Sequence, residues 1–369
     1  MEMANRTRQR NPVLNNLRII LTLAQKDIAA MLRSRAVLTT LIMVLLMIVF
    51  YTYLPVWAES SDPPRVWVLG LDDSFLARSL PLSPTLRADE PRDLDRMMNL
   101  LRESQTPEIG IILPADLSLT GGNEPLVLQG YVMYWLNPQQ VAELTEAVEL
   151  ELSSLLDRPV HVAVDGNILY PQVGNYGMAA TAGFSLVFAL TMIGVAAIPQ
   201  LVMEEKQNHT LQALLVSPAT PTMIILAKAL AGGFFIGAAF LFSMGFFGAA
   251  VLQWWLMLLA TLLFGTFAVS IGLFGGTWVE NRQQLALLIW GAVPVIFVSM
   301  IAFLLEGLLP DWLIGLVRLL PGAAMIEAIS LAFVKDLPLS AVVLPLGVLA
   351  LWALGLLVLV IWRLQRYDR

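Results

Sequence analysis

The chain has 369 residues, of which 57% are hydrophobic and only 14% charged, and its formal net charge is −6. Soluble domains carry about 25% charged residues, so this composition excludes an ordinary soluble protein. There is no cysteine and there are two histidines, His161 and His209, far apart. Disulfides, thiol catalysis and Cys-built metal sites are thereby excluded, and a His-built metal centre is disfavoured.

In chain order, Leu17, Leu21, Ala24, Ile28 and Met31/Leu32 recur at spacings of three and four. Arg18, Gln25, Lys26 and Arg33 occupy the other faces. The pattern predicts an amphipathic helix on a membrane interface within residues 1–35. A membrane-crossing helix needs roughly 20 apolar residues. Six stretches qualify, near 36–57, 174–200, 222–250, 254–279, 284–305 and 341–362. The first carries no charge from Ala36 to Leu54, and each Val, Leu, Ile or Phe favours insertion by about 0.3–0.6 kcal/mol. Val56 and Ala58 resemble a signal-cleavage spacing, but the run exceeds a signal core and 35 residues precede it. Residues 36–58 are therefore read as a retained anchor.

Residues 59–172 form a polar insert opening on Ser60-Ser61-Asp62-Pro63-Pro64. Strands are predicted over 65–71, 109–113, 126–135 and 161–164, and helices over 91–103 and 138–156. In the second helix Val141, Leu144, Val148 and Leu152 share a face. The insert holds 18 acidic and seven basic residues, a net charge of −11, which disfavours nucleic acid or another polyanion as a ligand. Residues 173–369 hold the other five spans. The predicted fold class is thus an α-helical polytopic membrane protein with six transmembrane helices and an inserted extracytoplasmic α+β domain.

Orientation follows from Lys and Arg in the short flanks. Arg6, Arg8, Arg10, Arg18, Lys26, Arg33 and Arg35 precede the first span, Lys206 and Lys228 flank the loop after the second, Arg282 follows the fourth, and Arg363, Arg366 and Arg369 close the chain. All fall on one side, which places both termini in the cytoplasm. Tyr51, Tyr53, Trp57, Trp254 and Trp255 mark the outer border, and Trp278 and Trp362 the inner one.

The loop between spans two and three, residues 203–218, carries the functional signal. Leu211, Leu214 and Leu215 form an i, i+3, i+4 patch on a short predicted helix. Glu204 and Glu205 suit its N-terminal end, and Ser217-Pro218 ends it. Thr220-Pro221 caps the next span. A helix of this kind can dock into a groove of a partner protein.

This run resembles the "E-K-x-x-G-T-L-E-x-L-L-V-S-P" signature of ABC-2-type permeases. Glu205, Lys206, Thr210, Leu211, Leu214, Leu215, Val216, Ser217 and Pro218 match it, while Asn208, His209 and Gln212 depart from it. The order of one span, a large outer domain and five spans is similar too. So are Leu309–Leu313 and Leu320–Ala328, which resemble the family's external helical hairpin, here near 306–336. The resemblance implies an exporter permease that dimerises with a second copy or a paralogue and is driven by a separate ABC ATPase subunit. ATP and Mg would be bound by that ATPase, with no cofactor in this chain. Glu204, Glu205, Lys206, Thr210, Leu211, Leu214, Leu215, Ser217 and Pro218 would couple the two, in a bacterial inner membrane. Sodium extrusion, as in some members, stays open.

No G-x-x-x-x-G-K-[S/T], H-E-x-x-H or G-x-S-x-G occurs, so neither an ATP site nor a hydrolase centre is read in the chain. Ionisable residues are nearly absent from the predicted spans, which disfavours a proton-coupled carrier. Glu306, Asp311, Glu327 and Asp336 are read as solvated hairpin residues. Gly233–Gly237 and Gly272–Gly276 have G-x-x-x-G spacing and are read as internal packing contacts. Met192, Met244, Met257 and Met300 are read as lipid- or core-facing. The expected substrate is an amphiphilic drug or lipid. A membrane-anchored sensor or scaffold is the alternative.

Overall fold

The computed structural model describes residues 12–59, 63–70, 86–114, 125–207 and 220–367. Helix α1 (Pro12–Arg33) meets α2 (Arg35–Glu59) at Ser34. Then come β1 (Arg65–Leu69), β2 (Arg87–Asp89), α3 (Leu94–Glu103), β3 (Ile109–Ile112), β4 (Leu126–Met133), α4 (Pro138–Leu156), β5 (Val160–Ala163) and β6 (Ile168–Leu169). The remainder is helical: α5 (Gly177–Gln207), α6 (Pro221–Phe247), α7 (Trp254–Trp278), α8 (Arg282–Leu304), α9 (Asp311–Val317), α10 (Pro321–Ala332) and α11 (Leu339–Tyr367). Among the described residues six helices are long and apolar enough to cross a membrane: α2, α5, α6, α7, α8 and α11. They coincide with the six predicted stretches to within about five residues, except that α5 continues to Gln207, past the predicted end at 200.

The insert is a mixed sheet ordered β2-β1-β3-β4-β5, with β6 also pairing β4. β1 runs parallel to β2 and β3, while β3 and β4 are antiparallel. Alternation places Val66, Val68, Ile109, Ile111 and Leu128 against Leu144, Val148 and Leu152 of α4 on one face. α3 covers the other face, and Gly110 lets it close up: a Cβ there would collide with Leu101 and Met97. Helix α4 starts in a capping box, with Asn137 and Gln140 bonding each other's backbone N–H groups and Pro138 in the first turn. β2 and β6, three and two residues long, lack the length for a periodic signal and were not anticipated.

This domain sits on the helices. Tyr134 donates its hydroxyl hydrogen to the Ala250 carbonyl, and Thr181 donates to Gln105 Oε1 at 2.9 Å. The Lys335 ammonium lies 4.0 Å from the Tyr170 ring centre.

Inside the bundle, α5 is the central helix and is largely buried. It widens into a π segment, Met192–Ala197, just before Pro199. Proline has no N–H to give and its ring crowds the preceding turn. The chain responds with a wider bond, from the Ile198 N–H to the Ile193 carbonyl. At this bulge α5 touches α7 backbone to backbone, since a Cβ on Gly272 would strike the Gly194 carbonyl oxygen. Gly276 packs on Pro199 and Val202, so Gly272–Gly276 is an internal contact. Gly233 and Gly237 differ from the expectation: nothing described lies near either, because they fall on the outer face of α6 with Phe234 and Leu241.

The hairpin also differs from a plain external one. α9 and α10 meet at 91°. Nearly all of α10, Pro321 through Ala332, is buried against α5, α7, α8 and α11. Its C-terminal carbonyl at Ala332 accepts from the Leu252 and Gln253 N–H groups. Asp311 and Asp336 are exposed as expected, but Glu306 and Glu327 are half-buried. Glu306 accepts from the Tyr176 hydroxyl at 2.8 Å and from Arg318 at 3.1 Å. Burial and this bond hold the Tyr176 phenol above its ordinary value. Met244, Met257 and Met300 are all core residues.

Candidate functional site

At the Lys- and Arg-rich end of the bundle, α5 runs nearly three turns beyond the π segment and presents three consecutive charged side chains to different elements. Glu204 accepts from the Ser34 hydroxyl at 2.5 Å, at the corner between α1 and α2. Glu205 accepts from Lys228 of α6 at 2.5 Å and from Lys26 of α1 at 3.2 Å. Lys206 donates to the carbonyls of Gly276, Thr277 and Val279, at 2.8, 3.0 and 2.9 Å.

Each contact has a local cause. Successive helix residues are about 100° apart, so three in a row fan out to three neighbours. Helix α7 ends at Trp278 with carbonyls that no further turn can satisfy, and the Lys206 ammonium meets them where the macrodipole is negative. Arg363 of α11 closes the same corner, its guanidinium 4.0 Å from the Trp278 ring centre.

The charged centre is buried: Lys228 is 2% exposed, Asp27 3% and Glu205 7%. Lys228 also reaches Asp27 Oδ2 at 3.4 Å, and Lys26 lies 3.9 Å from Asp27 Oδ1. Two ammonium groups and two carboxylates thus share one site with no net charge. Neutral grouping is the condition under which ionised side chains tolerate burial. Burial holds the Asp27 carboxyl above its ordinary value, against the pull of Lys228.

The structure therefore joins Glu204, Glu205 and Lys206 in one hub. Thr210, Leu211, Leu214, Leu215, Ser217 and Pro218, together with His209, lie outside the described residues. Reasoning from sequence missed Asp27, Ser34, Lys228 and the carbonyl end of α7. Ala24, Asp27, Ile28 and Met31 share one helical face, and that face, not the leucines, is turned inward: Leu17, Leu21 and Leu32 are exposed. Lys228 stands seven residues into α6, roughly 10 Å from its start. In the sequence alone it reads as a flanking charge. Its depth and the position of Asp27 on the Ala24–Met31 face were the signals available.

Among the described residues no three His, Cys, Asp or Glu side chains converge as metal ligands. Through Glu204, Glu205 and Lys206 the end of α5 is bonded to α1, α6, the end of α7 and the corner between α1 and α2. No curated protein matches the chain. Residues 35–362 match the model of the ABC-2 family transporter proteins, and the chain, a multi-pass membrane protein with six helices long and apolar enough to cross a membrane among the described residues, belongs to the ABC-2 transporter permeases.

Proposed function

We propose that this permease is the membrane half of an exporter whose power stroke enters through residues 203–218. A separate ABC ATPase binds ATP and Mg and docks on the apolar patch of Leu211, Leu214 and Leu215. The hub of Glu204, Glu205 and Lys206 passes the displacement to α1, α2, α6 and α7. The observation that carries this reading is that fan of three consecutive anchored side chains directly before the docking segment. The Lys and Arg bias supports a cytoplasmic hub and termini, with the 59–172 domain outside a bacterial inner membrane. Two permease copies, or one and a paralogue, enclose the path, and the charge-poor helices suit an amphiphilic drug or lipid.

The test is a double substitution, Leu214→Asp with Leu215→Asp. Burying each leucine in a groove contributes about 1.5–3 kcal/mol. Loss of both weakens docking more than a hundredfold, since about 1.4 kcal/mol is tenfold. The expected result is normal membrane expression without ATPase co-purification or transport. Undiminished co-purification and transport would refute the docking role.

A further inference from the structure

Beside the hub, on the side away from Lys228, a cavity of about 240 Å³ lies between the start of α2, the end of α5 and the start of α8. Its apolar lining comes from Met203, Leu285 and Ile289, and its polar lining from Gln200, Glu204 and Gln207. Among the described residues of that lining Glu204 is the one ionisable side chain. Gln200 Oε1 is buried and has no hydrogen-bond partner among the described residues. An orphaned buried acceptor costs about 1–3 kcal/mol, so a donor that satisfies it is favoured there. Past the exposed Ala36 and Ala286 the mouth opens between α2 and α8. Both helices present bare apolar side chains outward, Leu38 and Ile42 on one, Leu287 and Trp290 on the other.

An unmet acceptor and a carboxylate ask for a cation that can donate hydrogen bonds, and the apolar wall and mouth ask for a hydrocarbon tail. An anionic head would face the Glu204 carboxylate, and no cation stands among the described residues of the lining to offset it. We propose that this cavity is a loading site for amphiphilic primary amines, the ammonium seated between Glu204 and Gln200 and the tail running out between α2 and α8. This names the substrate class of the permease described above and rests on that reading. Because Glu204 also holds Ser34, an ammonium that draws on the same carboxylate reports its arrival to the hub.

The test uses the full chain in phosphatidylcholine nanodiscs, with radiolabelled dodecylammonium and dodecyl sulfate as matched probes. Dodecylammonium should bind saturably and at least about tenfold more tightly than the sulfate. Gln200→Leu, which removes the acceptor at similar volume, should weaken the ammonium about tenfold, and Ala286→Trp, which fills the mouth, should abolish its binding. Equal affinity for the two heads, or ammonium binding unchanged in either variant, overturns the proposal. ATPase co-purification is followed in parallel and should be normal in both variants, showing that they fold. Should Ala286→Trp fail to fold, Gln200→Leu decides alone. ATPase capture without amine binding sinks the loading site and leaves the coupling reading intact. Amine binding without ATPase capture by the parent chain sinks the coupling reading and leaves the site.

Discussion

Lys228→Met is the most direct probe of the hub, because it removes one of three buried charges from a neutral group of four whose last member, Lys26, reaches solvent. In the parent the ammonium bonds Glu205 at 2.5 Å and Asp27 at 3.4 Å. At an effective dielectric of about 20, a unit pair at the longer distance attracts by roughly 5 kcal/mol. Desolvation offsets much of this, at several kcal/mol per ion. The variant, however, recovers none of the desolvation of the two carboxylates, which stay buried and now repel each other beside a half-exposed Lys26. Breaking a buried pair in this way costs about 3–5 kcal/mol. The assay is reversible denaturation of the full chain in mixed micelles, beside the double variant Lys228→Met, Glu205→Gln. The second change restores neutrality between Lys26 and Asp27, so it should return at least half of the lost stability. A loss under about 1 kcal/mol in the single variant, or a further loss in the double one, would show that the four charges are not coupled and would remove the hub's rigidity from the argument.

Two other outcomes are expected. Asp27 titrates above its ordinary value because it is buried, so the folded state binds its proton more readily than the unfolded state does. Its contribution is full below the unfolded value of 3.8 and falls as pH rises through the raised one. The denaturation midpoint of Asp27→Asn should therefore decline less than the parent's between about pH 4 and about pH 7, and an equal decline would assign the pH dependence elsewhere. For orientation, Leu150→Cys on the exposed face of α4 should react with an impermeant thiol reagent on intact cells. Glu280→Cys, after α7, should react only once the membrane is opened, and the reverse pattern would invert the proposed sidedness.

What the sequence determined by itself was everything set by local pattern. Runs of about 20 apolar residues can only be satisfied by lying in lipid as helices, and all six were legible from hydropathy. The α4 boundaries, Pro138 to Leu156, were legible because a capping proline and an apolar stripe are local. The signature after span two was legible as a resemblance. The tertiary structure decided which charges meet. Lys228 and Asp27 are 201 positions apart, and no local rule distinguishes a lysine near a helix end that points to water from one that points to a carboxylate. The inward face of α1 was set the same way: Asp27 must turn to its partner on α6, which leaves Leu17, Leu21 and Leu32 facing outward. The burial of α10 and the backbone contact of Gly194 with Gly272 arise likewise from packing between distant segments, where small residues admit close approach that composition alone cannot assign to a neighbour.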